Sequence, residues 1–377
     1  MNSRGSNSTH STLPSEWYFD PAHFQRELKS IWWDEWLCVA RAGELGEPGQ
    51  FKVIRVGSQQ VIITRRSKGE LQAFHNTCRH RGSLLCESDS GSFHNGRIVC
   101  PYHAWVYSLD GELQNTPRLN ESDDFNRKDY SLYPVAVDSW AGFIFINLAE
   151  TPSCNLKTRL AGEANPLSNW PMPELLIAHR QVHHLDCNWK VFWENFLECY
   201  HCPNIHRELC ALVPVYGQGV SSPEDLPGDH ALLAASSQTL LKPGAVTWSG
   251  DGSTSLPWFD GLSREEQSIG MTFFNLWPSV FIVAHVDYVR SVQVMPDGPE
   301  KTRLTVDWLV SPETMDREAL DIPGLVAFGQ QVVLEDARVC ELNQKGLHSQ
   351  RHRSGVLTEK ERDVLAFDQW VMARLGD

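Results

Sequence analysis

Two short Cys–His pairs constrain the fold of this chain more than any other feature of its sequence. They are "CRHRG" at residues 78–82 and "CPYHAW" at residues 100–105, each beside turn-forming residues. Two thiolates and two imidazoles on neighbouring loops suit either one tetrahedral zinc ion or a [2Fe–2S] cluster with both cysteines on one iron and both histidines on the other. In either case four side chains must converge, and the predicted metal ligands are Cys78, His80, Cys100 and His103.

The sequence around these pairs is typical of short β-strands. "FKVIRVGSQQVIITRRSKGELQAF" predicts three strands joined by turns at Gly57 and Gly69. Further strand-like pieces are "GRIVC", "WVYSLDGELQ" with a turn at Asp110–Gly111, and "GFIFINL". We therefore predict a small all-β domain over residues 36–150.

Residues 151–377 predict a second domain of the α+β class. Helical patterns occur at "NWKVFWENFLECYH" and from Ile322 onward. Between them, "GMTFFNLWPSVFIVAHVDYVRSVQVMPDGPEKTRLTVDWLV" reads as an antiparallel meander, because alternate residues of "RLTVDWLV" form one apolar face. Helices segregated from an antiparallel sheet define the α+β class. A Gly-, Pro- and Ser-rich region, residues 217–257, predicts a loop or lid.

The N-terminal residues fall into two parts. Residues 1–14, "MNSRGSNSTHSTLP", contain no apolar run and predict a flexible tail that is neither a signal peptide nor a membrane anchor. Residues 15–35 have helical spacing through Phe24, Leu28 and Ile31 and predict an N-terminal helix that packs on the second domain.

Composition argues against some partners. The net charge of −14 disfavours nucleic acid, because phosphate binding needs clustered Lys and Arg. No apolar run has the length of a transmembrane helix, so we expect no membrane association. Ten cysteines without a secretory signal predict a reducing compartment, the cytoplasm.

A second metal site is indicated by "ENFLECYHCPNIH", residues 194–206. His201 and His206 stand on either side of Pro203, which breaks a helix and lets both imidazoles converge from the helix end and the following loop. Oxygen-activating non-haem iron uses two histidines and one carboxylate. The helical stretch "VVLEDARVCELNQKG" offers three acids, and the residues alone leave the choice open among Glu335, Asp336 and Glu341.

The two sites together resemble a known family. "CRHRGSLLC…GRIVCPYHAWVYSLDGELQ" is similar to the Rieske domain of ring-hydroxylating oxygenase alpha subunits in its "RHRG", its "YHAW" and the later "DG" turn. The resemblance extends from Trp17 to the C-terminus. It implies a [2Fe–2S] Rieske cluster, mononuclear non-haem Fe(II) and a helix-grip (START-like) catalytic domain. The pattern D-x-x-x-C-E-x-x-Q-x-G matches the family's ligand helix, which makes Asp336 the third iron ligand beside His201 and His206.

The same resemblance gives Glu198 a catalytic role. An acid three residues before the first iron-ligand histidine bridges it, in this family, to a Rieske histidine of the neighbouring subunit. It would carry the electron path from His103 of one subunit to His201 of the next, and it implies a homotrimer. Cys199 and Cys202 form a C-x-x-C that we interpret as packing residues, because no second C-x-x-C accompanies them.

The resemblance implies a terminal oxygenase that acts on a small organic substrate with O2. No flavin or nicotinamide fingerprint is present, so electrons would come from a separate NAD(P)H-dependent flavin/iron–sulfur reductase. "WENFLECYHC…IHRELC" and "CELNQKGL" resemble choline, glycine betaine, stachydrine and carnitine monooxygenases. We therefore expect hydroxylation or N-demethylation of a quaternary or methylated ammonium compound. The alternatives are hydroxylation of an aromatic acid or related ring compound, an electron-transfer Rieske protein, and a zinc-stabilised binding module.

A quaternary ammonium group binds against aromatic faces. Aromatic residues of the second domain could line such a pocket, although on strands they also serve as core. The candidates are Trp248, Trp258, Phe273, Phe274, Trp277 and Phe281.

Overall fold

The computed structural model separates the chain into two units, Trp32–Ala164 and Met1–Ile31 with Asn165–Asp377. It describes residues 10–66, 69–117, 119, 121–161, 165–226, 240–318 and 320–376. The first unit extends beyond the predicted residues 36–150 at both ends. Two contacts within the unit account for this: the Trp33 indole donates to the carbonyl of Val56 at 3.1 Å, and Arg159 pairs with Glu35 at 3.1 Å.

The N-terminal segment carries β1 (His10–Ser11) and α1 (Pro21–Glu27). Asp20 caps α1 by accepting backbone N–H groups of the first turn, and proline occupies the first helical position. At the other end of α1, the buried Glu27 carboxylate pairs with the equally buried Lys190 ammonium. Breaking such a pair leaves one charge buried and uncompensated, so this contact holds the segment on its own unit.

The described residues of the unit Trp32–Ala164 form short antiparallel strands, three short 3₁₀ helices and one α-helix. The strands and the α-helix are β2 (Leu37–Arg41), β3 (Gln50–Val56), β4 (Gln59–Arg65), β5 (Leu71–His75), β6 (Ser90–Ser92), β7 (Arg97–Val99), β8 (Val106–Ser108), β9 (Leu113–Asn115), β10 (Ala136–Trp140), β11 (Phe143–Asn147) and α2 (Leu156–Ala161). The strands form sheets of order β5-β4-β3-β6, β10-β11-β2 and β7-β8-β9.

The predicted turns of this unit are confirmed. Gly57 and Gly69 connect β3 to β4 and β4 to β5 with positive φ of 59° and 82°. Gly111 connects β8 to β9 with φ of 81°, and a Cβ there would lie 2.5 Å from the Phe74 ring. Only glycine fits that approach, and it lets β8 and β9 close over the buried core of the unit.

The second unit combines one five-stranded antiparallel sheet with helices, the α+β architecture expected. Its strands are β12 (Leu176–Leu185), β13 (Thr272–Leu276), β14 (Val280–Ala284), β15 (Val289–Gly298), β16 (Lys301–Val310) and β17 (Val356–Leu357). Its described helices are α3 (Trp189–Phe196), α4 (Cys202–Ile205), α5 (Arg207–Leu212), α6 (Arg264–Ile269), α7 (Pro312–Met315), α8 (Ile322–Leu347) and α9 (Arg362–Leu375). The sheet order is β12-β16-β15-β14-β13.

The long helix α8 organises this unit. It packs on α3 and β12. Its buried residues Val326, Val333, Cys340 and Leu347 recur every seven positions, which places them along one stripe of the helix. Asp336 follows Val333 by three residues and precedes Cys340 by four, so the stripe carries this acid toward the interior.

The structure describes only part of the two segments that were predicted to be flexible, the N-terminal tail and the lid. Of the predicted tail, residues 1–9 lie outside the described residues, but β1 pairs with β17 and Leu13 is buried, so the tail interpretation is wrong for residues 10–13. The reason is that a polar strand needs only its backbone to pair. Of the predicted lid, residues 227–239 lie outside the described residues.

None of the helices in the described part of the chain has the length and apolarity to cross a bilayer.

Candidate active site

Both loops that carry the predicted cluster ligands fold as the same tight turn. The carbonyls of Cys78 and Cys100 each accept the backbone N–H four residues further on, from Gly82 and Ala104, at 3.0 Å. Gly82 and Ala104 both have positive φ, 76° and 56°. Each loop therefore turns back on its own cysteine and presents the histidine of the pair beside it.

The structure brings the four predicted ligands together. The imidazole rings of His80 and His103 lie 4.6 Å apart between centroids and at 74° to each other. Cys78 and Cys100 are buried free thiols. The Trp105 indole lies parallel to the His80 ring at 4.8 Å and so fixes its plane.

Two features make this set of donors suitable for a metal cluster. Burial raises the pKa of the Cys78 thiol, although the Tyr107 hydroxyl at 3.3 Å from its sulfur partly lowers it. Its thiolate therefore requires a cationic group for stabilisation. His103 Nδ1 is buried without a hydrogen-bond partner among the described residues. Two thiolates, a free imidazole nitrogen and a second histidine beside it fit a centre with sulfur and nitrogen ligands.

A second set of donors converges in the other unit. His206 Nε2 lies 2.9 Å from Asp336 Oδ1 and 3.1 Å from His201 Nε2, and His201 Nε2 lies 3.5 Å from the same carboxylate oxygen. Ligands on one face of a metal at about 2.1 Å stand about 3 Å from one another. The three atoms thus already have the spacing that an octahedral ion with open opposite positions needs.

The helix that was predicted to run as far as Pro203 ends earlier in the structure. Helix α3 ends at Phe196, and His201 and His206 flank the short helix α4, with Pro203 at its second position. Glu198 therefore reaches His201 through a turn, not along a helix face. Its Oε1 lies 2.5 Å from His201 Nδ1, and its Oε2 accepts the His201 backbone N–H at 3.1 Å.

The three acids of α8 that the sequence offered as ligands occupy different positions in the structure. Asp336 faces the two Nε2 atoms, whereas Glu335 Oε2 lies 2.8 Å from His206 Nδ1, on the outer side of that ring. Glu341 accepts a backbone N–H of Asp186 at 3.1 Å, away from the histidines. Burial disfavours the charge on Asp336, but hydrogen bonds from His201 and His206 outweigh burial, and its pKa lies below the ordinary value.

Cys202, which we interpreted as a packing residue, also borders the site. Its sulfur lies 3.9 Å from His201 Nε2. Hydrogen bonding to the Cys199 thiol and burial raise the pKa of Cys202 well above the usual range. Its sulfur and the donor nitrogens of His201 and His206 all lie within 4.8 Å of one another, so Cys202 lines the proposed metal site.

An aromatic cavity opens directly on the three donors. Of the six aromatic candidates, Trp248, Phe273 and Phe281 line it. The other three do not: Phe274 lies on the opposite side of its strand, Trp277 packs against Phe367, and Trp258 is exposed. The cavity also contains residues that the sequence did not indicate, Phe196, Tyr216 and Arg290.

Comparisons with known proteins agree with this architecture. Residues 35–136 match the Rieske [2Fe–2S] domain, and residues 172–377 match the catalytic domain of the ring-hydroxylating alpha subunit. The chain is therefore a two-domain Rieske oxygenase, an oxidoreductase whose domains carry a [2Fe–2S] cluster and a mononuclear non-haem iron. It belongs to the ring-hydroxylating alpha subunit family.

Individual relatives extend over nearly the whole chain. The glycine betaine monooxygenase oxygenase subunit of Pseudomonas aeruginosa is 29% identical over 387 residues, which cover 97% of this chain and 89% of the relative. The chloroplastic choline monooxygenase of Beta vulgaris is 29% identical over 366 residues, which cover 96% of this chain and 76% of the relative. The crystal structure of the quaternary ammonium Rieske monooxygenase CntA with its substrate L-carnitine superposes on this chain with a TM-score of 0.73 at 26% identity. The superposition covers 97% of this chain and 96% of the CntA chain.

Proposed function

We propose that this chain is the terminal oxygenase of a multicomponent system that hydroxylates or N-demethylates a small quaternary or methylated ammonium compound with O2. A separate NAD(P)H-dependent flavin/iron–sulfur reductase would supply the electrons. The observation that carries the proposal is the aromatic cavity that opens on two histidines and one carboxylate. The names of the relatives, which act on glycine betaine, choline and carnitine, support the same substrate class.

The residues divide between the two metal centres. Cys78, His80, Cys100 and His103 would hold the [2Fe–2S] cluster, and His201, His206 and Asp336 would hold the iron. When bound, the cluster supplies single electrons and the iron supplies a site for O2.

Two glutamates orient the iron ligands. With Nδ1 protonated, His201 donates to Glu198 and His206 donates to Glu335, at 2.5 and 2.8 Å. These hydrogen bonds fix the tautomer and the ring plane, so that both Nε2 lone pairs face Asp336. The chain thereby sets the three donor atoms before any metal binds.

The aromatic side chains have two functions in this proposal. The faces of Trp248, Phe273 and Phe281 attract a cationic ammonium group. Their apolar surfaces also keep water from the substrate methyl groups, which must reach the metal position.

Glu198 would also connect the two kinds of centre between subunits. Besides the aromatic cavity, it borders a second hollow with Glu194 and Glu361. We propose that His103 of one copy meets Glu198 of the next in a homotrimer, as the family resemblance implies. The reductase requirement supports action in the cytoplasm, where NAD(P)H is supplied.

Hydroxylation of an aromatic acid is the second candidate. The buried Arg290 guanidinium at the cavity favours a carboxylate ligand, and the aromatic walls accept a ring as well as an ammonium group.

The test is the reoxidation of the chemically reduced holoenzyme by O2 in a stopped-flow instrument. Glycine betaine, γ-butyrobetaine, L-carnitine, choline and benzoate are added in turn. We expect a quaternary ammonium compound to accelerate reoxidation of the cluster, because electrons should leave it quickly only when the cavity is filled. Acceleration by benzoate alone would replace the proposal with the second candidate.

A further inference from the structure

Arg290 is a buried cation on the cavity face of the sheet. It lies on β15 opposite Val283 of β14 and Trp308 of β16. Arg290 is 4% exposed, and its side chain lines the aromatic cavity beside the proposed iron ligands. Removal of a guanidinium from water is unfavourable unless an anion and hydrogen-bond acceptors compensate it.

The described residues compensate this charge only in part. Arg290 Nη1 donates to the Gly329 carbonyl at 3.1 Å, and the guanidinium carbon lies 5.4 Å from the centre of the Trp248 ring. Nε is buried without a hydrogen-bond partner among the described residues. No described carboxylate forms an ion pair with Arg290, since Asp336 is directed at the histidines.

The position of the guanidinium is nevertheless fixed. A Cβ at position 329 would lie 2.8 Å from Arg290 Nη1, so a larger residue there would displace the guanidinium from its present position. The helix backbone and the Trp248 ring hold the cation at the cavity. A preorganised guanidinium whose charge is only partly compensated favours an anionic ligand in the cavity that it lines.

We propose that Arg290 binds a carboxylate of the substrate, so that the ligand of this cavity is a zwitterion with an ammonium group against the aromatic side chains. This inference rests on the proposed function and narrows it. A cation without a carboxylate, such as choline, would share the cavity with an unpaired like charge, whereas a betaine neutralises that charge. The chemistry therefore favours ammonium carboxylates over ammonium alcohols.

The experiment measures binding by calorimetry to the metal-replete protein. The ligands are glycine betaine, γ-butyrobetaine and L-carnitine, with choline as the cation that lacks a carboxylate and benzoate as the carboxylate that lacks an ammonium. The variants are Arg290→Gln and Arg290→Met. The control is Arg303→Gln, which removes a cation from the same sheet that pairs with Asp297 at 3.2 Å outside the cavity.

We expect the wild-type protein to bind at least one carboxylated ammonium compound about tenfold or more tightly than choline. Arg290→Gln should weaken that ligand about 10- to 100-fold and leave choline binding equal or tighter, because only the charge-assisted hydrogen bonds are lost. Arg303→Gln should change neither. Arg290→Met should raise the melting temperature of the ligand-free protein, because it removes a buried charge that the described residues compensate only in part.

Three results would overturn the proposal: wild-type preference for choline, equal weakening of choline and the betaines in Arg290→Gln, or no binding of any carboxylated ligand. A fall in melting temperature in Arg290→Met together with equal weakening would assign Arg290 a structural role. If benzoate binds, the betaines do not, and Arg290→Gln abolishes benzoate binding, the carboxylate site stands and the ammonium function falls.

Discussion

His206 and Asp336 stand 130 residues apart in the chain, yet His206 Nε2 lies 2.9 Å from Asp336 Oδ1. The histidine follows helix α4 and the acid lies in the middle of α8, on the buried stripe of that helix. One long-range contact thus completes the proposed metal site, because the local sequence supplies only the two histidines.

Removal of the Asp336 carboxylate should empty the mononuclear iron site and leave the [2Fe–2S] cluster in place. Asp336→Ala should lower the iron content from about three to about two atoms per chain and leave the Rieske spectrum intact, because the cluster ligands are unaffected. Iron analysis and electron paramagnetic resonance measure the two centres independently. Glu341→Ala is the matched control on the same helix and should retain all the iron. Unchanged iron in Asp336→Ala would remove this residue from the ligand set.

The hydrogen bond behind His206 should affect metal affinity without supplying a ligand. Glu335→Gln weakens the acceptor of the His206 Nδ1–H, and Glu335→Ala removes it. We expect Glu335→Ala to bind Fe(II) about 10- to 100-fold more weakly, and Glu335→Gln to lie between it and the wild type. Competition with a chelator gives the affinities. Wild-type affinity in both variants would mean that the contact does not orient the ring.

The sequence indicates the proposed ligands most directly where they are close together in the chain. Both cluster loops and the pair His201–His206 are local patterns, and the turns at Gly57, Gly69 and Gly111 follow from residue type. The choice among the acids of α8 depends on which face is buried, and this follows from the seven-residue spacing of Val326, Val333 and Cys340 only once the helix is delimited.

Other features could not be predicted because they depend on neighbours distant in sequence. Phe273 lines the cavity and Phe274 does not, since consecutive strand residues face opposite sides and the sequence does not say which side holds the site. The burial of Arg290 could not be predicted either, because the carbonyl that its guanidinium contacts belongs to Gly329, 39 residues further along the chain. The early end of α3 at Phe196 also escaped prediction, because "NFLECYH" continues a helical pattern.

Glu198 should be required for turnover but not for metal binding. Glu198→Gln keeps a hydrogen-bonding side chain beside His201 Nδ1 but removes the negative charge that the proposed bridge to His103 of another copy needs. We expect wild-type iron content, an unchanged Rieske spectrum and loss of product formation. Glu265→Gln is the control, because this acid is exposed in the first turn of α6, away from the site. Near-normal turnover in Glu198→Gln would show that electrons take another route.

Asp368 should make the protein less stable as the pH rises. It is 2% exposed, its Oδ1 is buried without a partner among the described residues, and burial raises its pKa to about 7 while Lys190 partly lowers it. Below about pH 4 the group is protonated in both states, so its stabilising contribution is fully present. Between about pH 4 and pH 7 the unfolded state ionises while the folded state stays neutral, and the folded state loses relative stability.

Asp368→Asn replaces the buried carboxyl group by an amide of nearly the same shape that does not ionise, so the loss of stability with rising pH should disappear. We expect it to stabilise the protein by roughly 1–4 kcal/mol at pH 8 and to have almost no effect at pH 4, because the difference between the folded and unfolded pKa sets the size of the effect. Urea denaturation at the two pH values measures it. Asp363→Asn, an exposed position in the first turn of the same helix, should show no such pH dependence. Equal destabilisation of Asp368→Asn at both pH values would show that the carboxylate is ionised and compensated in the folded protein.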